Sequence, residues 1–139
     1  MRWEKGLIIS CLMDSDVCID YLWGREYTAV LFSRWMEKGL LSISAITHLE
    51  LYAGMRKGEE SATADFLDNM VTVPVDESVA NSAGHIISRL KAKGLTMSPM
   101  DSIIAASALF ANVPLITNNV ADYPATCISG LLVVNGMGA

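Results

Sequence analysis

Histidine and cysteine are scarce, with two histidines and three cysteines in 139 residues. Cys11, Cys18 and Cys127 are odd in number, widely spaced and free of any Cys-x-x-Cys pattern. That excludes a disulfide frame and a thiolate zinc site, and points to reduced thiols in a cytoplasmic protein. His48 and His85 have no acid or cysteine at ligand spacing, which leaves them structural or surface roles. No apolar run approaches the length of a membrane span. Ile8-Ile9-Ser10-Cys11 resembles a lipoprotein cleavage box, but the apolar stretch before it is too short for a signal peptide, and Asp14 and Asp16 follow at once. Basic residues are also outnumbered, ten Lys and Arg against fifteen Asp and Glu, for a net charge of −5. Affinity for a polyanion through surplus positive charge alone is therefore disfavoured. Repeats, linkers and low-complexity segments are absent. The length and a hydrophobic content of 52% predict one domain over residues 1–139 with a sizeable core.

Short apolar runs alternate with helical periodicity. Residues 7–13 read as a buried strand, and 16–22 as a short helix ended by Gly24. Tyr27, Leu31 and Trp35 recur at helical spacing up to Gly39. Residues 40–43 form a strand that passes, through Ser44 or Thr47, into a helix ending at Gly54. A helix over 59–70 precedes the β-rich run 71–75, which Pro74 pushes toward a sheet edge. Val79, Ala83, Ile86, Ile87 and Leu90 mark a helix from Asp76 to Gly94. Asp101 opens a small-residue helix to Asn112, residues 113–117 form the next strand and 130–134 the last. This alternation predicts an α/β fold, a parallel β-sheet flanked by helices on both faces. Functional groups in such sheets gather beyond the carboxyl ends of the strands.

Three acids sit in otherwise apolar sequence at such places: Asp14 after the first strand, Glu50 in the helix after the second, and Asp101. Burying an acid costs several kcal/mol unless a partner compensates it, and no basic residue stands beside any of the three. Two carboxylates ~5 Å apart repel by roughly 3 kcal/mol at an effective dielectric near 20. An empty cluster should therefore hold protons at neutral pH, and a divalent cation would displace them. All-oxygen ligands select Mg2+ or Mn2+ over zinc, and such clusters most often act on phosphate esters. Setting aside Asp14, Glu50, Asp101 and Asp122 as ligands leaves a net charge of −1, so charge does not exclude a nucleic-acid substrate.

Four segments in order carry a resemblance: Met13-Asp14-Ser15-Asp16, then Ser44-Ala45-Ile46-Thr47-His48-Leu49-Glu50-Leu51-Tyr52-Ala53-Gly54, then Asp101-Ser102-Ile103-Ile104-Ala105-Ala106-Ser107-Ala108, then Ile116-Thr117-Asn118-Asn119-Val120-Ala121-Asp122-Tyr123. Together they resemble PIN-domain proteins, and most closely the VapC-type toxin ribonucleases of toxin–antitoxin pairs. The resemblance implies a PIN-like (Rossmann-like) sheet and a Mg2+ or Mn2+ site. It also implies in-line hydrolysis of RNA phosphodiesters, an antitoxin protein that occludes the cleft, and a homodimer. Carried over by position, Asp14, Glu50 and Asp101 match the three core acids, ligating the ion and activating water. The fourth acidic position falls on Asn119, where many relatives carry Asp, or on Asp122, three residues later. Asn119 brings an oxygen without charge, so a second metal is expected to be weak or to need substrate. Asp16 stands where relatives often carry Asn and restores some of that charge. Thr117 and Ser15 are expected to donate hydrogen bonds to ligand carboxylates.

Plainer roles compete for the same residues. Asp14, Asp16 and Asp101 all suit helix N-termini, and Asp122 before Tyr123-Pro124 suits a surface turn. Trp3, Trp23 and Trp35 are expected in the core or at a dimer contact rather than as base-stacking platforms. Arg89, Lys91 and Lys93 read as a solvated face, and as the best candidate for an RNA-backbone contact. Two other functions fit parts of the pattern. One is a haloacid-dehalogenase-like phosphatase with Asp14-x-Asp16 as nucleophile and acid, although Cys18 stands where a Thr is expected. The other is a catalytically silent PIN-like binding module.

Overall fold

The computed structural model describes residues 8–137; Trp3 and Leu7 lie outside them. Five parallel strands, β1 (Ile9–Met13), β2 (Leu40–Ser44), β3 (Val71–Val73), β4 (Leu115–Thr117) and β5 (Val133–Asn135), form one sheet in the order β3-β2-β1-β4-β5. Helices α1 (Ser15–Leu22) and α2 (Glu26–Met36) connect β1 to β2, and α3 (Ala45–Gly54) and α4 (Glu60–Asp68) connect β2 to β3. Helices α5 (Glu77–Ala92) and α6 (Pro99–Ala111) lead to β4, and two short 3-10 turns, Val120–Asp122 and Ala125–Cys127, lead on to β5.

Strand alternation divides the core in two. Ile9, Leu12, Val73 and Leu115 face Val79, Ala83, Ile86, Leu90, Ile104 and Ala108 of α5 and α6. Cys11, Met13, Ile43 and Ile116 face Val17, Leu31, Phe32, Leu51 and Phe66 of α1 to α4. Both sheet faces are thus covered, the reason the strands read as unbroken apolar runs. Burying each large side chain contributes about 1.5–3 kcal/mol. Gly39 allows β2 to begin close beside β1, because a Cβ there would lie 2.8 Å from the Ile8 carbonyl oxygen.

Several element boundaries differ from expectation. β3 ends before Pro74 at the sheet edge, since proline has no N–H for a ladder. β4 starts at Leu115, leaving Val113 and Pro114 outside it, and β5 starts at Val133, after a turn in which Gly130 takes φ +83°. Asp101 does not open its helix. Ser98 is the N-cap, its hydroxyl accepting from Asp101 N–H at 3.1 Å, and Pro99 begins the first turn.

Strand order reverses direction between β1 and β4, so the crevice beyond their carboxyl ends is the natural ligand site of this topology. Asp14 N–H donates to the Ile116 carbonyl at 2.9 Å, fixing the two strand ends side by side.

Candidate metal centre

Asp14 follows β1 directly and caps α1, its Oδ1 accepting from Ser15 N–H at 2.7 Å. It is 6% exposed. Its Oδ2 accepts from the Thr117 hydroxyl at 2.8 Å and from the Tyr123 hydroxyl at 3.0 Å. The same Tyr123 oxygen lies 3.3 Å from Asp101 Oδ1, so one phenol joins the acid that follows β1 to an acid in the first turn of α6. A phenol has one proton to donate and two carboxylates beside it, so it can serve only one of them at a time.

Glu50 reaches the group through Ser15. The Ser15 hydroxyl donates to Glu50 Oε1 at 2.6 Å and lies 3.1 Å from the Thr47 hydroxyl, which is buried. Asp16, half-buried in the first turn of α1, is turned toward the loop after β4. Its Oδ2 accepts from Asn118 N–H at 2.9 Å and from Asn119 Nδ2 at 3.1 Å, and its Oδ1 from Val17 N–H at 2.7 Å. Asn119 therefore engages Asp16 through its amide nitrogen. Asn118 Nδ2 reaches the Tyr27 hydroxyl at 2.5 Å and Asp20 at 3.3 Å, and Tyr27 in turn donates to Asp20. Asp122 is exposed on the 3-10 turn, near enough to act on Asp101 electrostatically.

Burial pushes the Asp14 carboxyl up to about 7, with a further push from the Asp16 charge, against the hydrogen bonds from Thr117, Tyr123 and Ser15. Asp16 and Asp101 are also raised, each mainly by burial. Tyr123 is held far above its ordinary range by burial and the two neighbouring acids, so it keeps its proton.

The donor set fits a hard divalent cation: carboxylates, hydroxyls and amide oxygens, with no histidine or reachable thiol among them. Among the described residues no three Asp, Glu, His or Cys side chains converge on one ion position, because the Ser15 and Tyr123 hydroxyls stand between the acids. Mg2+ is commonly held by one or two carboxylates with its remaining positions filled by water, so the fit asks for fewer than three converging acids.

Sequence reasoning did not assign a role to Tyr123, Thr47 or Asn118. The signal for Tyr123 was the burial of a tyrosine, 2% exposed, whose hydroxyl must find a partner. Removing that hydroxyl by Tyr123→Phe is expected to weaken Mn2+ binding about 10-fold or more while lowering the melting temperature by only about 2–10 °C, the fold staying cooperative. Isothermal titration with Mn2+ beside a thermal melt checks both halves. Equal affinity in the two proteins would remove the tyrosine from the site.

The PIN domain family model matches residues 11–121. The chain belongs to the PIN-domain family. This PIN domain is 30% identical over 114 residues to ribonuclease VapC19 of Mycobacterium tuberculosis, an alignment that covers 81% of this chain and 91% of that protein. It is 26% identical to a chain of a toxin-antitoxin complex from Klebsiella pneumoniae, with a TM-score of 0.74 over 88% of this chain and 96% of the other. DNA-bound VapBC from Salmonella typhimurium superposes with a TM-score of 0.80 at 23% identity, over 93% and 99% of the two chains, a likeness of fold. The phosphatase alternative gives way to this relationship. The geometry agrees, since Asp16 is occupied by the loop after β4 rather than poised as a general acid beside Asp14.

Proposed function

We propose that this PIN domain is a divalent-metal-dependent endoribonuclease, the toxin of a toxin–antitoxin pair. The observation that carries this reading is the Asp14–Tyr123–Asp101 bridge at the point where strand order reverses. It is supported by kinship with proteins named ribonucleases and with chains from toxin–antitoxin complexes. Those complexes also support a small antitoxin protein as partner, and the family resemblance supports a homodimer. Among the described residues no helix is long and apolar enough to cross a membrane.

In the proposed site Asp14 and Asp101 would hold a Mg2+ or Mn2+ ion, with Glu50 directly or through water, and Asn119, Asp122 or Asp16 would complete the site. The bound ion would neutralise charge on the scissile phosphate and acidify a water. The chain's own residues do the rest. Thr117 and Ser15 N–H hold the Asp14 carboxylate in one orientation, leaving few free lone pairs and hence a defined ligating direction. Ser15 holds one oxygen of Glu50, which leaves the other as a candidate proton acceptor. Tyr123 keeps its proton and sets the spacing between Asp14 and Asp101.

Incubating the purified protein with total RNA and Mn2+ or Mg2+ tests the reading. Discrete fragments that EDTA abolishes are the expected result. A folded protein that neither cleaves RNA nor binds Mn2+ would be a silent binding module.

A further inference from the structure

We propose that a groove along α5, separate from the acidic crevice, is a second RNA contact that takes a backbone phosphate at Arg89. The proposal rests on the ribonuclease reading above. The groove encloses about 380 Å³ and is lined by Asn81, Ser82, His85 and Arg89 of α5, facing Ile128 and Ser129 of the segment before β5. Asn81, His85 and Arg89 follow one another at intervals of four residues, so they project along one side of the helix about a turn apart.

The groove's lining contains no carboxylate. The crevice, by contrast, gathers Asp14, Asp16, Glu50 and Asp101, and the whole chain carries −5. A polyanion drawn only to that crevice would be repelled wherever an ion did not shield it, so binding needs a cationic hold elsewhere. Several other basic side chains are already engaged. Arg25 lies 3.9 Å from Asp20, Arg56 stacks over Trp23 at 4.1 Å and Lys38 over Trp35 at 5.2 Å. Arg89 forms no ion pair among the described residues, and Lys91 and Lys93 continue the positive charge past it.

The donor chemistry matches a phosphodiester. A guanidinium can chelate two phosphate oxygens, and the serine hydroxyls and the asparagine amide supply neutral donors beside it. The floor of the groove is apolar, with Ile128 only 5% exposed, so its polar donors are confined to the α5 wall and Ser129. The plainer role of Arg89, balancing the negative end of the α5 dipole in its last turn, needs only charge near the helix end. It does not call for a row of uncharged donors along the same groove.

Fluorescence anisotropy with a labelled single-stranded RNA, in EDTA so that nothing is cleaved, distinguishes the outcomes. Arg89→Ala is expected to weaken binding about 5- to 10-fold at low salt and to flatten the slope of log affinity against log salt by about 0.7. Arg89→Lys should keep most of the slope, and Lys38→Ala, outside the groove, should match wild type. Wild-type RNA binding with an Arg89→Ala protein of unchanged affinity and slope would overturn the groove alone. A wild-type protein that does not bind RNA in EDTA would overturn the groove, whereas the ribonuclease reading falls only if RNA also stays intact with Mn2+ or Mg2+. If Arg89→Ala instead changes the sedimentation mass with the salt slope intact, the groove is a protein interface and the proposal fails.

Discussion

Asp14→Asn is expected to lower metal-dependent RNA cleavage by about 10^3-fold or more while the protein stays folded. Asparagine has nearly the volume of aspartate, and the site around residue 14 is closed, with the side chain 6% exposed. What changes is charge and polarity. The native carboxylate accepts from Ser15 N–H, the Thr117 hydroxyl and the Tyr123 hydroxyl, three donors converging on two oxygens. An amide offers one oxygen to them and turns an NH2 toward at least one hydroxyl, which must then rotate and accept. The anionic oxygen proposed to hold the ion is gone as well. Two readouts separate catalytic from structural failure. RNA cleavage should fall to background and Mn2+ should no longer bind in a titration, yet circular dichroism and the melting transition should remain cooperative. Cleavage within ten-fold of wild type would remove Asp14 from the chemistry and with it the core of the proposed site.

The fold was largely legible because its information is local. A parallel sheet covered on both faces demands continuous apolar strands, and residues 9–13, 40–44 and 115–117 are such runs. Asp14 stood out because a charge at the end of one of them is costly unless used. Boundaries were less legible where a neighbour's chemistry decides them. Ser98 and Pro99 start α6 before the apolar periodicity does, so Asp101 sits inside the first turn. The least legible part was the wiring between the acids. Tyr123 and Asp14 are 109 residues apart, and no spacing rule reports that a hydroxyl from a 3-10 turn lands between two carboxylates. The setting of Asn119 was hidden for a related reason. Its residue type allowed an oxygen ligand, but only the packing of the loop after β4 on α1 shows its amide nitrogen directed at Asp16. The α5 groove depends on a segment nearly forty residues downstream and so left only its basic cluster in the sequence.

Without metal, the protein is expected to lose stability as pH rises from about 4 to above 7, the opposite of the usual carboxylate behaviour. An ordinary Asp titrates near 3.9 in an unfolded chain, whereas folding pushes Asp14 up to about 7, chiefly through burial. Between those values the folded state binds a proton that the unfolded state has released. The favourable contribution is complete below about 4 and disappears as pH passes through the folded value. Asp16 and Asp101 are raised for the same reason and add in the same direction. The loss attributable to Asp14 is on the order of a few kcal/mol, which for a chain of this size is a fall in melting temperature of roughly 10 °C. Mn2+ reverses the trend in the proposed site, because an ion that binds only the folded, deprotonated form stabilises it by about 2.7 kcal/mol at 100 times its dissociation constant. Melting curves from pH 4.5 to 8.5, with EDTA or with Mn2+, should therefore diverge as pH rises and converge at the acid end. Asp14→Asn should flatten the EDTA series and remove most of the response to Mn2+. An EDTA series that rises or stays level from pH 5 to 8 in the wild type would mean that Asp14 is charged and already compensated in the folded protein, and the case for a cation at that position would go with it.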